Sequence, residues 1–147
     1  MKLPSFLAVL AMGSSIACGA QKVAQTTTDD LAMMVSDSKL VWTQGDEDAP
    51  VVKLWQAGVG TTQITQSGDE QQEISGLCFF GEDVYWEHRG HVDDSLRRYR
   101  QGSIDDVFSG NIRIVGSRAD GVLFRNYDRD TTIADWYTYA DGLTLVH

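Results

Sequence analysis

The sequence is poor in cysteine and in positive charge. Two cysteines in 147 residues exclude a small fold that several disulfides hold together. Lysine and arginine number 12 against 21 aspartates and glutamates, which gives a net charge of −9. Nucleic acids and anionic lipid headgroups require a basic surface that displaces their counterions. We therefore expect neither of them as a direct partner.

Recognisable catalytic motifs are also missing. The chain contains no G-x-S-x-G, H-E-x-x-H or C-x-x-C motif and no glycine-rich phosphate loop. It has only three histidines, namely His88, His91 and His147. These absences favour a protein that is not an enzyme and that needs no cofactor.

The apolar run at the N-terminus is typical of an export signal. Lys2 is followed by LPSFLAVLAMG and then by small residues, a pattern of signal peptides that is too short to span a bilayer stably. The tetrapeptide Ser-Ile-Ala-Cys at 15–18 resembles the lipobox of bacterial lipoproteins, with Ser15 where that family usually has leucine. The resemblance implies cleavage of residues 1–17 and acylation of Cys18, which would anchor the chain. The alternative is secretion after cleavage behind Ala20.

We therefore predict an exported chain that is anchored to the bacterial envelope by lipid only, in the outer membrane or periplasm if the cell is Gram-negative. Residues 18–30 lack apolar periodicity, so they are predicted to form a flexible tether behind the lipid. The second cysteine, Cys78, lies in the apolar context LCFF. We expect it to be a small buried side chain and not a reactive thiol, because apolar surroundings raise the pKa of a thiol.

The remainder of the chain contains a threefold repeat. Each unit has an apolar strand, an acidic or glycine-containing turn, a second strand that ends in one aromatic landmark, and a second aromatic landmark 13 to 15 residues later. A glycine follows three residues behind the second landmark. The three landmark pairs are Trp42 and Trp55, Trp86 and Tyr99, and Phe124 and Tyr139.

Units of about 40 residues with four strands each have the size of a propeller blade. The sequence therefore predicts an all-β fold of three four-stranded antiparallel blades, at about residues 31–65, 74–108 and 112–146. Runs such as Val84-Tyr85-Trp86 fit strands that are covered on both faces by neighbouring blades. A two-sheet sandwich of hairpins is the alternative, but its strands would alternate more strictly between apolar and polar residues.

The stretch KLWQAGVGTTQITQSGDEQQEISGLCFFGEDVYW resembles bacterial β-propellers of the TolB type, and more loosely the YWTD repeat of receptor ectodomains. The resemblance implies a propeller over about residues 31–146. The third unit departs from it, since it lacks the Ile-Thr pair and has Phe124 in place of tryptophan. Closed propellers typically have four to eight blades, so three units imply a partial propeller or half of a six-bladed dimeric ring. An open stack would expose apolar surface on its terminal blades.

The loops that join strand two to strand three, and one blade to the next, emerge on the same face of a propeller. In this sequence they are acidic, which predicts either a face that binds a basic segment of an envelope or surface protein or loops that are charged only for solubility. The candidate residues of this face are Asp46, Glu47, Asp48, Asp69, Glu70, Glu87, Asp93, Asp94, Asp128 and Asp130.

Two further groups of polar residues predict specific contacts. His88 and His91, with the neighbouring carboxylates, form a candidate divalent-cation site, although a solvated loop explains the same residues. In the run LRRYR, strand alternation places Arg98 and Arg100 opposite Arg97 and Tyr99, and we expect these arginines to pair with acids of neighbouring blades.

The sequence thus predicts an exported, non-catalytic binding module of the cell envelope. The alternatives are a domain that binds a divalent cation or a carbohydrate, and a truncated relative of a longer propeller-containing enzyme or transport component.

Overall fold

The computed structural model describes residues 7–10, 21–25, 33–45, 50–65, 73–90, 94–128 and 133–146. All regular secondary structure in these ranges is β-strand. Within them, no helix is long and apolar enough to cross a membrane.

Three four-stranded antiparallel sheets form the body of the molecule, and in each one the strands lie side by side in chain order. We call them blades 1, 2 and 3. Blade 1 contains β3 (Met33–Ser36), β4 (Lys39–Gln44), β5 (Val51–Gln56) and β6 (Gly60–Gln63). Blade 2 contains β7 (Glu73–Phe80), β8 (Asp83–Arg89), β9 (Asp94–Arg100) and β10 (Ser103–Ser109). Blade 3 contains β11 (Ile112–Arg118), β12 (Gly121–Tyr127), β13 (Ala134–Tyr139) and β14 (Leu143–Val146). The predicted all-β class and its three four-stranded antiparallel sheets are confirmed.

A separate pair of short antiparallel strands precedes the blades, formed by β1 (Leu7–Leu10) and β2 (Gln21–Gln25). These strands lie in the segments for which the sequence predicts an export signal and a tether. Cleavage in front of Cys18 would remove β1 and leave β2 without its partner strand. Cleavage and acylation stay predictions, and Cys18 itself lies outside the described residues.

The blades stack face to face, and the alternation of side chains along β8 shows how. Val84 and Trp86 belong to an apolar cluster shared with Val41 and Leu54 of blade 1. Tyr85, on the opposite face, belongs to a second cluster shared with blade 3. Successive residues of a strand point to opposite faces of its sheet, so an uninterrupted run of large apolar residues fits a blade that is covered on both sides. This is why Val84-Tyr85-Trp86 carries no polar alternation.

The first strands of the blades are neighbours in the stack, since β7 lies in contact with β3 of blade 1 and with β11 of blade 3. This arrangement is propeller-like but partial. The centre of the described part is blade 2, and blades 1 and 3 are its flanks.

Candidate binding surfaces

Most of the predicted acidic face lies outside the described residues. This holds for Asp46, Glu47, Asp48, Asp69, Glu70, Asp93 and Asp130, and also for His91. Asp94 is half-buried at the start of β9, and Asp128 is exposed just behind β12. The binding of a basic segment at this face stays a prediction.

The structure corrects the position of Glu87 and His88. The sequence predicts both in the loop behind the second strand of the second unit, but both lie within β8 and are buried, Glu87 with 2 % of its surface exposed. Strand β8 continues to Arg89 because it pairs with β7 on one side and β9 on the other. Glu87 therefore does not contribute to an exposed acidic face.

Glu87 joins blade 2 to blade 3. Its Oε2 accepts hydrogen bonds from Ser75 Oγ at 2.8 Å and from Arg113 Nη1 at 2.9 Å. Its Oε1 accepts one from the backbone N–H of Ile114 at 2.6 Å. Ser75 belongs to β7, whereas Arg113 and Ile114 belong to β11. A buried carboxylate is tolerated when its oxygens are paired in this way, and here the pairing ties adjacent blades together.

The backbone of β7 makes room for this carboxylate. The register of β7 and β8 shifts between Ser75 and Cys78, and Gly76 in this bulge has a φ of +58°. A Cβ at position 76 would lie 2.4 Å from Glu87 Oε1. Glycine is therefore required both by the left-handed backbone and by the close approach of Glu87.

Burial raises the pKa values of two side chains in blade 2, those of Glu87 and Cys78. Desolvation raises the pKa of Glu87 above its ordinary value, although hydrogen bonds from Ser75 and Ile114 oppose that shift. Desolvation, reinforced by the charge of Glu87, raises the pKa of the Cys78 thiol to about 12. Cys78 is thus a neutral buried thiol at ordinary pH, and the prediction for this residue is confirmed.

A metal site cannot be assembled from the described residues, which contain no group of three or more histidines, cysteines, aspartates or glutamates in a suitable arrangement. His91 and Asp93, which completed the predicted cluster, lie outside them. The cation site therefore stays a prediction.

The arginines of β9 form ion pairs, and one of these pairs crosses between blades. Arg100 bonds Asp83 of its own blade and, at 2.9 Å, Asp141 of blade 3, which confirms the expected pairing across blades for this residue. Arg97 and Arg98 instead pair within blade 2, with Asp106 and Asp105 of the adjacent strand β10. The expectation was wrong for these two because carboxylates of the adjacent strand are closer at hand.

Blade 3 has an outer face, turned away from blade 2, that consists of Leu123, Arg125, Tyr127, Trp136 and Val146. Arg125 pairs with Trp136 across β12 and β13, and Trp136 pairs with Val146 across β13 and β14, so these side chains share one side of the sheet. Val122 and Phe124, which alternate with them, are buried against blade 2. Trp136 remains 39 % exposed. The expected exposure of apolar surface on a terminal blade is thus found on blade 3.

The guanidinium of Arg125 lies over two aromatic rings on this outer face. Its guanidinium carbon lies 4.7 Å from the ring centroid of Tyr127 and 5.9 Å from that of Trp136, within the range of cation–π attraction. Its buried Nε donates no hydrogen bond to any residue that the structure describes. The two rings therefore hold the guanidinium of Arg125 in place, and its Nε–H has no acceptor among the described residues.

The outer face of blade 1 is partly covered. Leu40 and Trp42 lie on the side of β4 opposite Val41, which packs on blade 2, yet they are only 2 % and 3 % exposed. Met33 and Val35, their partners on β3, lie on the same side but are 38 % and 47 % exposed. Both ends of the stack therefore expose apolar surface, and blade 3 is the end that carries an exposed tryptophan beside an arginine.

A cleft between blades 1 and 2 is the second candidate binding surface. Its volume is about 590 Å³, and it is lined by residues of blade 1 (Lys39, Leu54 and Gln56) and of blade 2 (Phe80, Gly81, Glu82, Asp83, Tyr99, Arg100, Gln101 and Gly102). Sequence reasoning missed this cleft because its residues come from separate strand ends and turns. No motif joins them in the sequence.

No protein-family model, curated protein or solved structure matches the chain. The resemblance to TolB-type and YWTD repeats stays a prediction from the sequence. What can be inferred about function therefore rests on the surfaces described above.

Proposed function

We propose that this chain is an exported, non-catalytic interaction module of the TolB-like propeller type, lipid-anchored to the bacterial envelope through Cys18. It binds a partner protein there through the outer face of blade 3. The observation that carries the proposal is the uncovered aromatic and arginine surface formed by Arg125, Tyr127 and Trp136.

The composition of this face supports protein binding. Tryptophan, tyrosine and arginine are the residues most enriched at interface positions that dominate binding energy. Trp136 offers a large apolar side chain whose burial is favourable, and Arg125 is already fixed by Tyr127, so less side-chain entropy is lost when it binds. A preorganised cation beside an exposed indole is well suited to a partner that presents an apolar surface with a carboxylate.

The repeat indicates the form of that partner surface. Aligning the landmarks Trp42, Trp86 and Phe124 makes Val41, Tyr85 and Leu123 equivalent. Val41 and Tyr85 are each covered by the blade that follows. Leu123 occupies the same place in a blade that no described blade follows, so a flat apolar β-sheet of another chain is the complementary shape.

A second copy of the chain is the less favoured occupant. In a six-bladed dimeric ring, blade 3 of one copy would cover the outer face of blade 1 of the other, where Met33 and Val35 are exposed but Leu40 and Trp42 are already buried. The described strands of that face carry the cation Lys53 and no carboxylate, so they offer no partner for Arg125. A different protein with an apolar, carboxylate-bearing sheet does offer one. We therefore assign the face to an envelope or surface protein.

The experiment uses a photo-crosslinking amino acid in place of Val146, which pairs with Trp136 on the same face, in living cells. The crosslinked product should sediment with the membrane fraction, and Cys18→Ser should release it. The captured protein is then purified, and its affinity is measured by calorimetry for the wild-type chain and for Trp136→Ala and Arg125→Gln. Ile104→Ala is the matched control, because Ile104 is 40 % exposed but lies in β10 of blade 2.

We expect Trp136→Ala to weaken binding about 30-fold, the effect of losing roughly 2 kcal/mol at a dominant interface residue. Arg125→Gln should weaken it as well, and Ile104→Ala should not. Equal affinities of the Trp136→Ala and Ile104→Ala variants would refute the assigned face. If the only crosslinked product contains two copies of this chain, the occupant of the face is a second copy, as in the six-bladed ring, and not a different protein.

A further inference from the structure

The cleft between blades 1 and 2 is a second candidate site, separate from the outer face of blade 3. It lies where β4 begins and β5 ends in blade 1, beside the turns that follow β7 and β9 in blade 2. Its volume of about 590 Å³ falls within the 300 to 1,000 Å³ that is typical of small-molecule sites. It combines an apolar floor with several polar groups, which is the usual composition of such a site.

Lys39 supplies an anchor for an anion in this cleft. Its side chain is 9 % exposed, and its ammonium pairs with the carboxylate of Glu82, whose own side chain is 88 % exposed. A buried ammonium needs an anionic partner, but this partner sits on a surface turn and is available to solvent. The carboxylate of a ligand can therefore replace Glu82 without leaving Lys39 unpaired.

The other lining residues fit the body of a sugar. Tyr99, which packs on the blade 1 side of blade 2, offers aromatic surface for the apolar C–H groups of a pyranose ring. The amides of Gln56 and Gln101 offer donors and acceptors for hydroxyl groups. A purely apolar carboxylate would desolvate these polar groups without pairing them, which is unfavourable.

We infer that this cleft binds a sugar that carries one carboxylate, a hexuronic acid or the exposed end of a chain of such sugars. The carboxylate takes the place of Glu82 on Lys39, and the ring lies against Tyr99. The amides of Gln56 and Gln101 bond the hydroxyl groups of the ring.

The test is a titration of the full chain, followed by NMR, with D-glucuronate as the probe and with D-glucose and benzoate for comparison. Glucose lacks the carboxylate and benzoate lacks the hydroxyl groups. We expect each of them to bind at least about tenfold more weakly than glucuronate, because each loses charged or polar hydrogen bonds. Benzoate that binds as well as glucuronate would overturn the assignment to a sugar.

Glu82→Gln is the decisive variant because its expected effect is a gain. The amide no longer competes for Lys39, so glucuronate should bind about threefold more tightly, in line with the small free energy of an exposed ion pair, while glucose binding stays unchanged. Glu73→Gln is the matched control. The side chain of Glu73 is 63 % exposed and also forms an ion pair, with Arg89, but it does not line the cleft. Unchanged glucuronate affinity in Glu82→Gln would overturn the proposal.

Two more variants complete the test. Lys39→Gln should abolish glucuronate binding, and if that variant does not fold, Glu82→Gln alone decides. Trp136→Ala should bind glucuronate as the wild type does, which separates this site from the proposed protein-binding face. Glucuronate binding that is retained by a folded Lys39→Gln variant would contradict the role of Lys39.

Discussion

At the scale of single residues, Glu87 illustrates how a charged side chain can be part of the interior. The oxygens of its carboxylate accept bonds from a hydroxyl, a guanidinium and a backbone N–H. These partners come from two blades, so they are in place only when the blades are stacked. The carboxylate thereby links the packing of β11 to the bulge in β7.

The bulge provides a prediction for Gly76. Gly76→Ala should destabilise the protein for two reasons, the positive φ of +58° and the overlap of the new Cβ with Glu87. Gly58→Ala is the control, because Gly58 has a φ of +79° with nothing within 4 Å of an added Cβ. We expect about 1–2 kcal/mol for Gly58→Ala from the backbone alone, and about 2 kcal/mol more for Gly76→Ala from overpacking.

Urea unfolding of both variants measures this difference. Equal losses in the two variants would show that Glu87 does not occupy the space beside Gly76.

The titration of Glu87 provides a second prediction. Because burial raises its pKa above 4.5, the folded protein holds this proton more tightly than the unfolded chain does. In the window between 4.5 and the raised pKa, the free energy of unfolding therefore falls as the pH rises. Arg113 and Arg89 oppose this trend and Glu73 adds to it.

Glu87→Gln removes the titrating group and is the reference. We expect the free energy of unfolding of the wild type, minus that of Glu87→Gln, to decrease as the pH rises above the ordinary pKa of 4.5 and to level off above the raised pKa. Urea titrations across this range measure it. An increase with pH would mean that the hydrogen bonds to the ionised form outweigh burial.

At the scale of elements, the strands of blade 2 are the most deeply packed of those described. Trp86 is fully buried in the cluster that joins blades 1 and 2, whereas Trp136 lies on the open face of blade 3. Trp86→Ala should cost about 3–5 kcal/mol of unfolding free energy, the usual loss for a buried aromatic. Trp136→Ala should cost less than about 1 kcal/mol, as expected for a surface substitution.

Chemical denaturation of the two tryptophan variants tests this order of stabilities. Comparable losses would contradict the packing of blade 2 between its neighbours. A small loss for Trp136→Ala is also what permits its use as a binding variant.

The strands could be predicted from the sequence because the landmark aromatics and turns recur in each unit, and recurrence fixes both strand order and strand number. The position of Glu87 could not be predicted, because a charged residue behind Trp86 resembles the start of a loop. Its burial depends on Ser75, Arg113 and Ile114, which lie far from it in sequence. The cleft beside Lys39 could not be predicted for the same reason.

At the scale of the whole molecule, the two outer faces of the stack differ in chemistry. Blade 2 is covered on both faces. The outer face of blade 1 buries Leu40 and Trp42 and exposes Met33 and Val35, whereas the outer face of blade 3 exposes Trp136 beside Arg125. In the proposed function, another protein covers this aromatic and cationic face of blade 3.

The most direct test of this claim is the solution mass of the lipid-free Cys18→Ser chain, measured by light scattering after gel filtration. The account predicts a monomer that unfolds cooperatively and whose mass is the same in the Trp136→Ala variant, because the outer face of blade 3 awaits a different protein. A stable dimer that Trp136→Ala dissociates would contradict it, since a second copy would then be the occupant of that face.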